Sequence, residues 1–478
     1  MVEVEAVSLS IKSHRLPVAF ISEFESKKRK NQSMLLSITE EIDSIDPLAF
    51  YYGNHSLFSG ERFFWKDSES ETIMAGVGNA AIVRSEKGIK ERYSEIEEKW
   101  NRLLKEAVIH NSYKDIMGTG PILFGGFSFD TGTIKEEKWN PFSSAYFFIP
   151  SFMVTVKKNR TYLTSNVIYS VDNEDDFLEK WISQKERVVR NAKEVPEETA
   201  VFEKVYEHGS DKWKQAVNKA VEQIQNHESL KKVVLARMLM VQFQEKPLPE
   251  AVLKHLWEKQ HGSYLFSLEA MNHCFLGASP ERLVRKWHED VLSTCLAGSI
   301  RRGKDQREDQ RLGQALLEDD KNRKEHQLVV DMIGSVIRNL CENVQIPEQP
   351  KLLKLSDIQH LFTPVVGKTR RNLSVLQFVE KLHPTPALGG LPQQEGLEMI
   401  RRLEGMDRGL YGAPIGWIDD SGNGEFAVAI RSGLFHDDRV YLYAGCGIVA
   451  DSNAESEYIE TSIKFRPMLR ALGGNIYE

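Results

Sequence analysis

Hydrophobic and polar residues follow two different periods along the chain, and together these periods predict a mixture of strands and helices. Short apolar and aromatic runs such as PILFGGFSFD, AYFFIPSFMVTV and KKVVLARMLMVQF predict buried strands. Segments with apolar residues three and four positions apart, such as EDDFLEKWISQKERVVRNAKEV, predict amphipathic helices. The predicted strands follow one another too closely for regular β–α–β winding. The pattern therefore favours an α+β fold built as a layered sandwich.

The same patterns predict an internal boundary and three longer elements. AKEVPEETAVFEK, from Ala192, is polar and contains a proline, which predicts a surface connection between residues 1–200, an α/β part integrated with the core, and residues 201–478. A long helix is expected from about Gln306 to about Asn343, and a last helix from about Asn453 to Leu472. FAVAIRSGLFH and RVYLYAGCGIVA predict a hairpin that turns at residues 436–438.

Composition narrows the class of protein. The chain has 62 basic and 69 acidic residues, a net charge of −7 and no long block of one sign, which argues against a nucleic-acid arm or a patch for anionic membranes. Four cysteines without a CxxC pair predict neither a disulfide framework nor a cysteine zinc site. The N-terminal MVEVEAVSLSIKSHRLPVAF lacks the apolar core of a signal peptide, and no run is apolar enough to span a membrane. We expect a soluble cytoplasmic protein.

Acidic residues on two predicted helices point to a cation. The apolar stripe of the long helix continues one turn back onto Glu325, and a buried carboxylate must be neutral, paired or bound to a metal. On the last helix Glu457, Glu460 and Lys464 share one face, directly after the glycine-rich strand YAGCGI. Salt bridges or a solvated face explain each helix alone. Carboxylates from two helices suit Mg²⁺, and KEHQL does not have the HExxH spacing of a zinc protease.

Nine separated segments between about Lys232 and Lys464 resemble the chorismate-utilising enzymes, which include the isochorismate, salicylate, anthranilate and aminodeoxychorismate synthases. GGFSFD, before residue 130, is similar to the isochorismate synthases of this family. The segments are KVVLAR, FLGASPERL, CLAGSIRRG, DDKNRKEHQLVVDMI, HLFTPVVGK, LHPTPALGG, DRGLYGAPIGW, FAVAIRSG and YAGCGIVADSNAESEYIETSIK.

The resemblance implies that residues 201–478 form a chorismate-binding catalytic region. It also implies a two-lobed layered β-sandwich flanked by helices, similar to the anthranilate synthase large subunit, with a Mg²⁺-dependent site between the sheets. In this family pattern Lys232 and Glu281 are catalytic, Glu325 and Glu460 bind Mg²⁺, and Glu457 is an auxiliary ligand. The residues implied to bind substrate are Gly298, Ser299, His383, Ala387, Leu388, Tyr411, Arg431, Gly445 and Lys464.

Lys232 and Glu281 indicate which reaction is catalysed. Lys232 stands where water-using members carry lysine and ammonia-using members carry glutamine, which implies a base that activates water. A lysine is a base only when a good fraction is neutral, which requires burial or neighbouring cations. Glu281, as the implied acid, must keep its proton near neutral pH, so its pKa must rise from about 4.3. The simpler interpretations are a solvated or ion-paired lysine at a strand start and an ion pair between Glu281 and Arg282 or Arg285.

The resemblance therefore implies an isochorismate synthase that adds water at ring carbon 2 of chorismate and expels the carbon-4 hydroxyl. Ala297 resembles members that form no covalent adduct, and His383 lies in a motif that isochorismate synthases keep, although a structural histidine explains it equally well. The long N-terminal part is closer to menaquinone-pathway than to siderophore-pathway enzymes. A salicylate or anthranilate synthase-type enzyme and a catalytically inactive binding or regulatory subunit remain alternatives. Chorismate is the expected partner, without nucleic acid, membrane or a glutaminase subunit.

Overall fold

The computed structural model describes residues 16–28, 33–174, 176–197, 200–207, 209–226, 229–370 and 372–474. Most of the N-terminal stretch that the sequence predicts not to be a signal peptide, residues 1–15, lies outside these described residues. So do residues 198 and 199 of the predicted surface connection.

Twelve α-helices occur in the described residues, and a 3₁₀ turn spans Glu137–Phe142. The helices are α1 (Val18–Lys28), α2 (Pro47–Gly53), α3 (His55–Phe58), α4 (Glu91–Lys105), α5 (Phe177–Arg190), α6 (Ser210–Asn226), α7 (Pro249–Lys259), α8 (Gln306–Glu318), α9 (Asp320–Leu340), α10 (Val375–Leu382), α11 (Gln393–Glu404) and α12 (Ala454–Ala471).

The same residues contain 21 strands, which belong to one connected system of ladders. The strands are β1 (Met34–Ile42), β2 (Arg62–Lys66), β3 (Thr72–Ser85), β4 (Val108–Asn111), β5 (Ile122–Phe127), β6 (Ala145–Lys157), β7 (Arg160–Tyr169), β8 (Phe202–Glu207), β9 (Lys232–Phe243), β10 (Tyr264–Ala270), β11 (His273–Ser279), β12 (Arg282–Trp287), β13 (Asp290–Arg301), β14 (Cys341–Gln345), β15 (Lys351–Lys354), β16 (Ile358–Thr369), β17 (Gly390–Leu391), β18 (Pro414–Asp419), β19 (Gly424–Val428), β20 (Ser432–His436) and β21 (Arg439–Ile448).

The ladders form two lobes that meet at the long strand β6. One lobe runs in the order β9, β21, β20, β11, β10, β2, β3, β6, and the other in the order β6, β5, β18, β19, β12, β13, β16. These pairings are antiparallel, whereas β1 and β4 pair in parallel. The expected α+β sandwich of two lobes flanked by helices is thus present.

Residues before and after position 200 share these ladders. β2 pairs with β10, and β5 pairs with β18, so each lobe contains strands from both halves of the sequence. Because the backbone hydrogen bonds of the later strands depend on the earlier ones, the N-terminal half contributes directly to the sheets that carry the chemical motifs.

The prediction of one long helix from about Gln306 to about Asn343 is wrong, because the segment forms two helices, α8 and α9, that are separated at Asp319. The backbone of Asp319 is extended there, and its side chain accepts the N–H of Asn322 at 2.7 Å, which caps the N-terminus of α9. α9 then ends at Leu340, where β14 begins. α9 begins at Asp320, and its buried side packs on β13 and β16.

The predicted hairpin and last helix are confirmed, with one difference. β20 and β21 turn at residues 437–438, and α12 spans Ala454–Ala471. The segment FAVAIRSGLFH, however, is two strands, because the backbone of Arg431 has a φ of +51° between β19 and β20. No helix of the described residues is both long enough and apolar enough to cross a membrane.

Candidate active site

A cavity of about 180 Å³ lies between β9 and β21 of one lobe and β13 and β16 of the other. The two pairs of strands form its walls, and α9 and α12 contribute acidic and basic side chains. Thirteen of the residues proposed from sequence line it: Lys232, Glu281, Gly298, Ser299, Glu325, Ala387, Leu388, Tyr411, Arg431, Gly445, Glu457, Glu460 and Lys464.

His383 is the one residue of the predicted set that does not line the cavity. It is buried behind the Ala387–Leu388 segment, and its Nε2 lies 2.9 Å from the carbonyl oxygen of Phe129. The Phe129 ring packs edge-on against the imidazole. Burial holds the pKa of His383 at about 3, so the ring is neutral. The geometry favours the structural histidine, which was the alternative interpretation.

A β-bulge in β13 aims its backbone at the cavity. The register against β16 shifts between Ala297 and Ser299, and the intervening Gly298 has a φ of +74°. The N–H of Ser299 donates to the Asn322 side chain at 3.2 Å, which ties the bulge to the capped start of α9. The bulge thereby places the Ser299 hydroxyl 3.3 Å from Glu460.

Lys232 and Glu325 form an ion pair in the wall of the cavity. Their Nζ and Oε1 atoms are 2.8 Å apart, and the side chain of Lys232 is only 1% exposed. The pair fits because Gly447, on the neighbouring strand, has no side chain. A Cβ atom at that position would lie 2.6 Å from Cε of Lys232 and 2.8 Å from Oε1 of Glu325.

Lys464 holds Glu460 one helical turn away on α12. Their Nζ and Oε1 atoms are 2.7 Å apart, and the same Nζ donates to the carbonyl oxygen of Gly445 at 2.9 Å. Burial acts to raise the pKa of Glu460, but the Lys464 ammonium and the Ser299 hydroxyl outweigh it, so this pKa is lowered. Glu460 is therefore an anion that already has a cation beside it.

Glu457 is the third carboxylate of the cavity and has the weakest partner. Lys321, at the start of α9, lies 3.7 Å away. Burial, and then the neighbouring charge of Glu460, raise the pKa of Glu457. A carboxyl group that resists ionisation beside another carboxylate is a group that an added cation would stabilise.

Glu281 lies in the turn between β11 and β12 and is 3% exposed. Burial raises the pKa of its carboxyl group to about 8, against the opposing influence of Lys232 and Lys464. Arg282, one of the partners considered from sequence, instead contacts Glu425, with Nε and Oε1 2.7 Å apart. Glu281 is therefore mostly protonated at neutral pH, as a general acid has to be.

Arg431 and Tyr411 cover the remaining side of the cavity. The left-handed backbone of Arg431 lies between β19 and β20, and its buried side chain lines the cavity. Burial lowers the pKa of Arg431, but a guanidinium still keeps its proton at neutral pH. Burial raises the pKa of Tyr411 to about 12, so its hydroxyl group is neutral. Tyr411 stacks on Tyr443, with ring centroids 5.3 Å apart. Both groups can donate hydrogen bonds to an anion.

The cavity offers hard oxygen donors but no ready-made metal cluster. Glu325, Glu457 and Glu460 all line it, and carboxylate oxygens are the donors that Mg²⁺ prefers. Within the described part of the chain, no three histidine, cysteine, aspartate or glutamate side chains are grouped closely enough to hold a metal ion. The residues fit a magnesium ion in chemistry, and each carboxylate faces a lysine instead.

Several cavity residues were not singled out from sequence. His360 of β16 is one, and its Nε2 is buried without a partner among the described residues. Burial, then Arg431 and Lys464, hold the pKa of His360 well below its usual value. Lys321, Asn322 and Gly447 also lie in or beside the recognised motifs, so the motifs marked the right segments without identifying each residue that contacts the cavity.

Comparisons with known proteins identify relatives of the chain. A profile described as chorismate binding enzyme matches residues 19–473. The chain is 43% identical over 451 residues to isochorismate synthase MenF of Bacillus subtilis strain 168, covering 94% of this chain and 95% of that protein. It is 35% identical over 471 residues to the salicylate biosynthesis isochorismate synthase of Pseudomonas aeruginosa, covering 96% and 95%.

A solved structure shows the same fold. It is that of MenF, the menaquinone-specific isochorismate synthase from Escherichia coli, which superposes with a TM-score of 0.76 at 23% identity, over 95% of this chain and 99% of that one. With a family profile covering nearly the whole sequence, the chain belongs to the chorismate-binding enzyme family.

Proposed function

We propose, from its membership of this family, that the chain is an isochorismate synthase, an isomerase that converts chorismate into isochorismate. One observation in the structure carries the proposal beyond family membership. Lys232 and Glu281, both buried, line the same cavity, and Glu281 keeps its proton at neutral pH. A buried amine and a buried protonated carboxyl group in one small space supply the base and the acid that water addition with loss of a hydroxyl requires.

In the proposed reaction a water molecule adds to ring carbon 2, the ring double bonds shift, and the hydroxyl group leaves carbon 4. Lys232 is paired with Glu325 in the structure, and it can act as the base once Glu325 binds the metal ion instead. It then accepts a proton from the attacking water, and Glu281 donates its proton to the departing hydroxyl. The raised pKa of Glu281 supports this division of roles, because an ionised carboxylate has no proton to give. Arg431 and Tyr411 both line the cavity and can donate hydrogen bonds, which supports a role for them in binding a carboxylate of the substrate.

Glu325 and Glu460, with Glu457 as an auxiliary ligand, would hold Mg²⁺ in this proposal. When bound, the ion supplies a positive charge that anchors the substrate carboxylate. The support is the donor set, three carboxylates around one cavity, of which Glu457 has a raised pKa. Lys464 and Lys321 face two of these carboxylates, and with the carboxylates on the ion they would be available to the anionic substrate.

The proposal includes a pathway, a location and a set of partners. The long N-terminal part, which resembles menaquinone-pathway enzymes, supports menaquinone formation, and siderophore formation is the second candidate. All four cysteines are free thiols, which supports a reducing, cytoplasmic location. Lysine at position 232, where ammonia-using members carry glutamine, supports an enzyme without a glutaminase subunit.

Product analysis tests the proposal directly. The purified protein is incubated with chorismate and Mg²⁺, with and without ammonium, and isochorismate, salicylate and anthranilate are separated by chromatography. We expect isochorismate as the main product in both mixtures and no turnover after chelation of the metal. Anthranilate in the ammonium mixture, or salicylate as the main product, would replace the proposed function with one of the alternatives. Absence of any product would favour a binding or regulatory subunit.

A further inference from the structure

β9, the strand that begins with Lys232, has a gap along one edge. On one side it pairs with β21 from residue 233 to residue 242. On the other side it pairs with β17 at residues 232–233 and with β8 from residue 239 onwards. Residues 234–238 therefore have no strand beside them on that edge within the described chain. Buried backbone groups in such a gap need other partners.

The ion pair of Arg408 and Glu404 fills this gap. The N–H of Ala236 donates to Oε1 of Glu404 at 2.7 Å, and Nη2 of Arg408 donates to the carbonyl oxygen of Val234 at 2.9 Å. Nε of Arg408 lies 2.9 Å from Oε2 of Glu404, and Nη2 also contacts Oε1. The two side chains are 2% and 1% exposed. The pair thus bonds two backbone groups, the N–H of Ala236 and the carbonyl of Val234, that a neighbouring strand would otherwise bond.

Arg408 also holds a second segment of the cavity wall. Its Nη1 donates to the carbonyl oxygen of Leu388 at 2.8 Å, and its guanidinium lies 4.2 Å from the ring centroid of Phe129. Leu388 and Val234 both line the cavity. Since residues two apart on a strand share a face, Val234 lies on the same face of β9 as Lys232. The N–H of Val234 also donates to the carbonyl oxygen of Gly389 at 2.7 Å, so the guanidinium adds a side-chain link to the backbone bond that already joins this segment to β9.

A purely stabilising role does not explain this arrangement well. Buried ion pairs contribute little net stability on average, because the cost of removing both charges from water nearly cancels their attraction. What a planar guanidinium does provide is several donors in a fixed geometry. Here those donors reach two separate pieces of backbone and one carboxylate, all next to a cavity in which small displacements of reacting groups are costly.

We propose that Arg408, held by Glu404, is a positioning residue that sets the separation between the Ala387–Leu388 segment and Lys232. The inference rests on the proposed function only in naming Lys232 as the base. Arg408 does not touch the substrate space itself and acts through the backbone of Leu388 and Val234.

The test compares Arg408→Lys, Arg408→Gln and Glu404→Gln with a matched control. Arg401→Lys is that control, because Arg401 lies on α11 with Glu404 and forms a similar two-bond pair with Asp130, but it does not line the cavity. Turnover of chorismate with Mg²⁺ is measured for each variant, and kcat is expressed per folded molecule, with the folded fraction taken from circular dichroism and urea unfolding.

We expect kcat to fall about 10- to 100-fold in Arg408→Gln, with KM changed by less than about threefold, because the lost interaction matters in the transition state. Arg408→Lys should recover part of the loss, since an ammonium keeps the charge pair but cannot reach both carbonyl oxygens. Glu404→Gln should show a smaller fall in kcat. If the Arg408 variants do not fold, this fall tests the positioning role in their place. Arg401→Lys should keep the wild-type kcat.

A wild-type kcat per folded molecule in the Arg408 or Glu404 variants, with only a lower unfolding midpoint, would overturn the positioning role. A kcat per folded molecule equal to that of the Arg401→Lys control would also overturn the positioning role. If the wild-type enzyme forms a product other than isochorismate, the proposed function fails, but kcat and KM measured for that product still decide the role of Arg408.

Discussion

Replacing Glu281 by glutamine should make the protein more stable and inactive at once. In the folded state burial raises the pKa of this carboxyl group to about 8, from an ordinary value of 4.5. Because the folded pKa lies above the unfolded one, the unfolded chain gives up its proton first as the pH rises. The contribution of Glu281 to stability is therefore fully present below pH 4.5 and is lost progressively up to about pH 8.

The size of this loss follows from the two pKa values. Between pH 4.5 and pH 7 the unfolded carboxyl group ionises while the folded one stays mostly protonated, which costs about 3 kcal/mol of unfolding free energy. Glutamine has nearly the same shape and cannot ionise, so it removes this pH dependence. The difference in unfolding free energy between Glu281→Gln and the wild type should grow in favour of the variant by about 3 kcal/mol over that range.

Urea unfolding of both proteins at pH 4.5, 6, 7 and 8 measures the difference, and Glu289→Gln, a change of an exposed residue in the turn between β12 and β13, is the control. Activity should be lost in Glu281→Gln, and wild-type kcat should fall as the pH rises past about 8, where the acid loses its proton. A difference that stays constant from pH 4.5 to pH 8 would refute the raised pKa. Near-normal turnover by the variant would refute the acid role.

Three further substitutions test the rest of the site. Lys232→Gln should lower isochorismate formation at least about 100-fold with an unchanged circular dichroism spectrum, and turnover near the wild-type rate would rule out the lysine as base. Glu460→Ala should weaken Mg²⁺ binding in calorimetry at least about tenfold, because a charged oxygen donor is lost, whereas equal affinity would remove it from the ligand set. Gly447→Ala should reduce kcat about tenfold or more, since its Cβ would lie 2.6 Å from Cε of Lys232, and normal kinetics would show that the Lys232–Glu325 pair is free to move.

The sequence predicted the parts of the molecule that depend on local patterns. Apolar runs located β5, β6 and β9, and the glycine-rich strand followed by an acidic helix located β21 and α12. The break at Asp319 was missed because an aspartate inside an acidic, helix-favouring stretch has the same local pattern whether it caps a new helix or lies on an exposed face. Here packing of the following turn against the strands decides between the two.

The site was predictable to the extent that motifs carry it. Family resemblance selected thirteen residues that meet in one cavity although they are far apart along the chain. It did not show that His360 lines the cavity whereas His383 forms a hydrogen bond with the Phe129 carbonyl oxygen, because both histidines lie in recognised motifs. It also gave no sign of Arg408, since a gap along the edge of β9 exists only once the ladders of β8 and β17 are known. Which neighbour a side chain meets is a property of tertiary structure.

Three lysines around the cavity are matched by three ionisable glutamates. Lys232, Lys321 and Lys464 each face one of the three carboxylates, and Glu281 adds no charge while it is protonated. In these three pairs each carboxylate has a cation beside it before the substrate arrives. Chorismate brings two carboxylates, and in a cavity with little water their charge must be met by cations. A divalent cation on the glutamates would balance the substrate and release the lysines to face it, so one set of side chains serves both the empty and the occupied site.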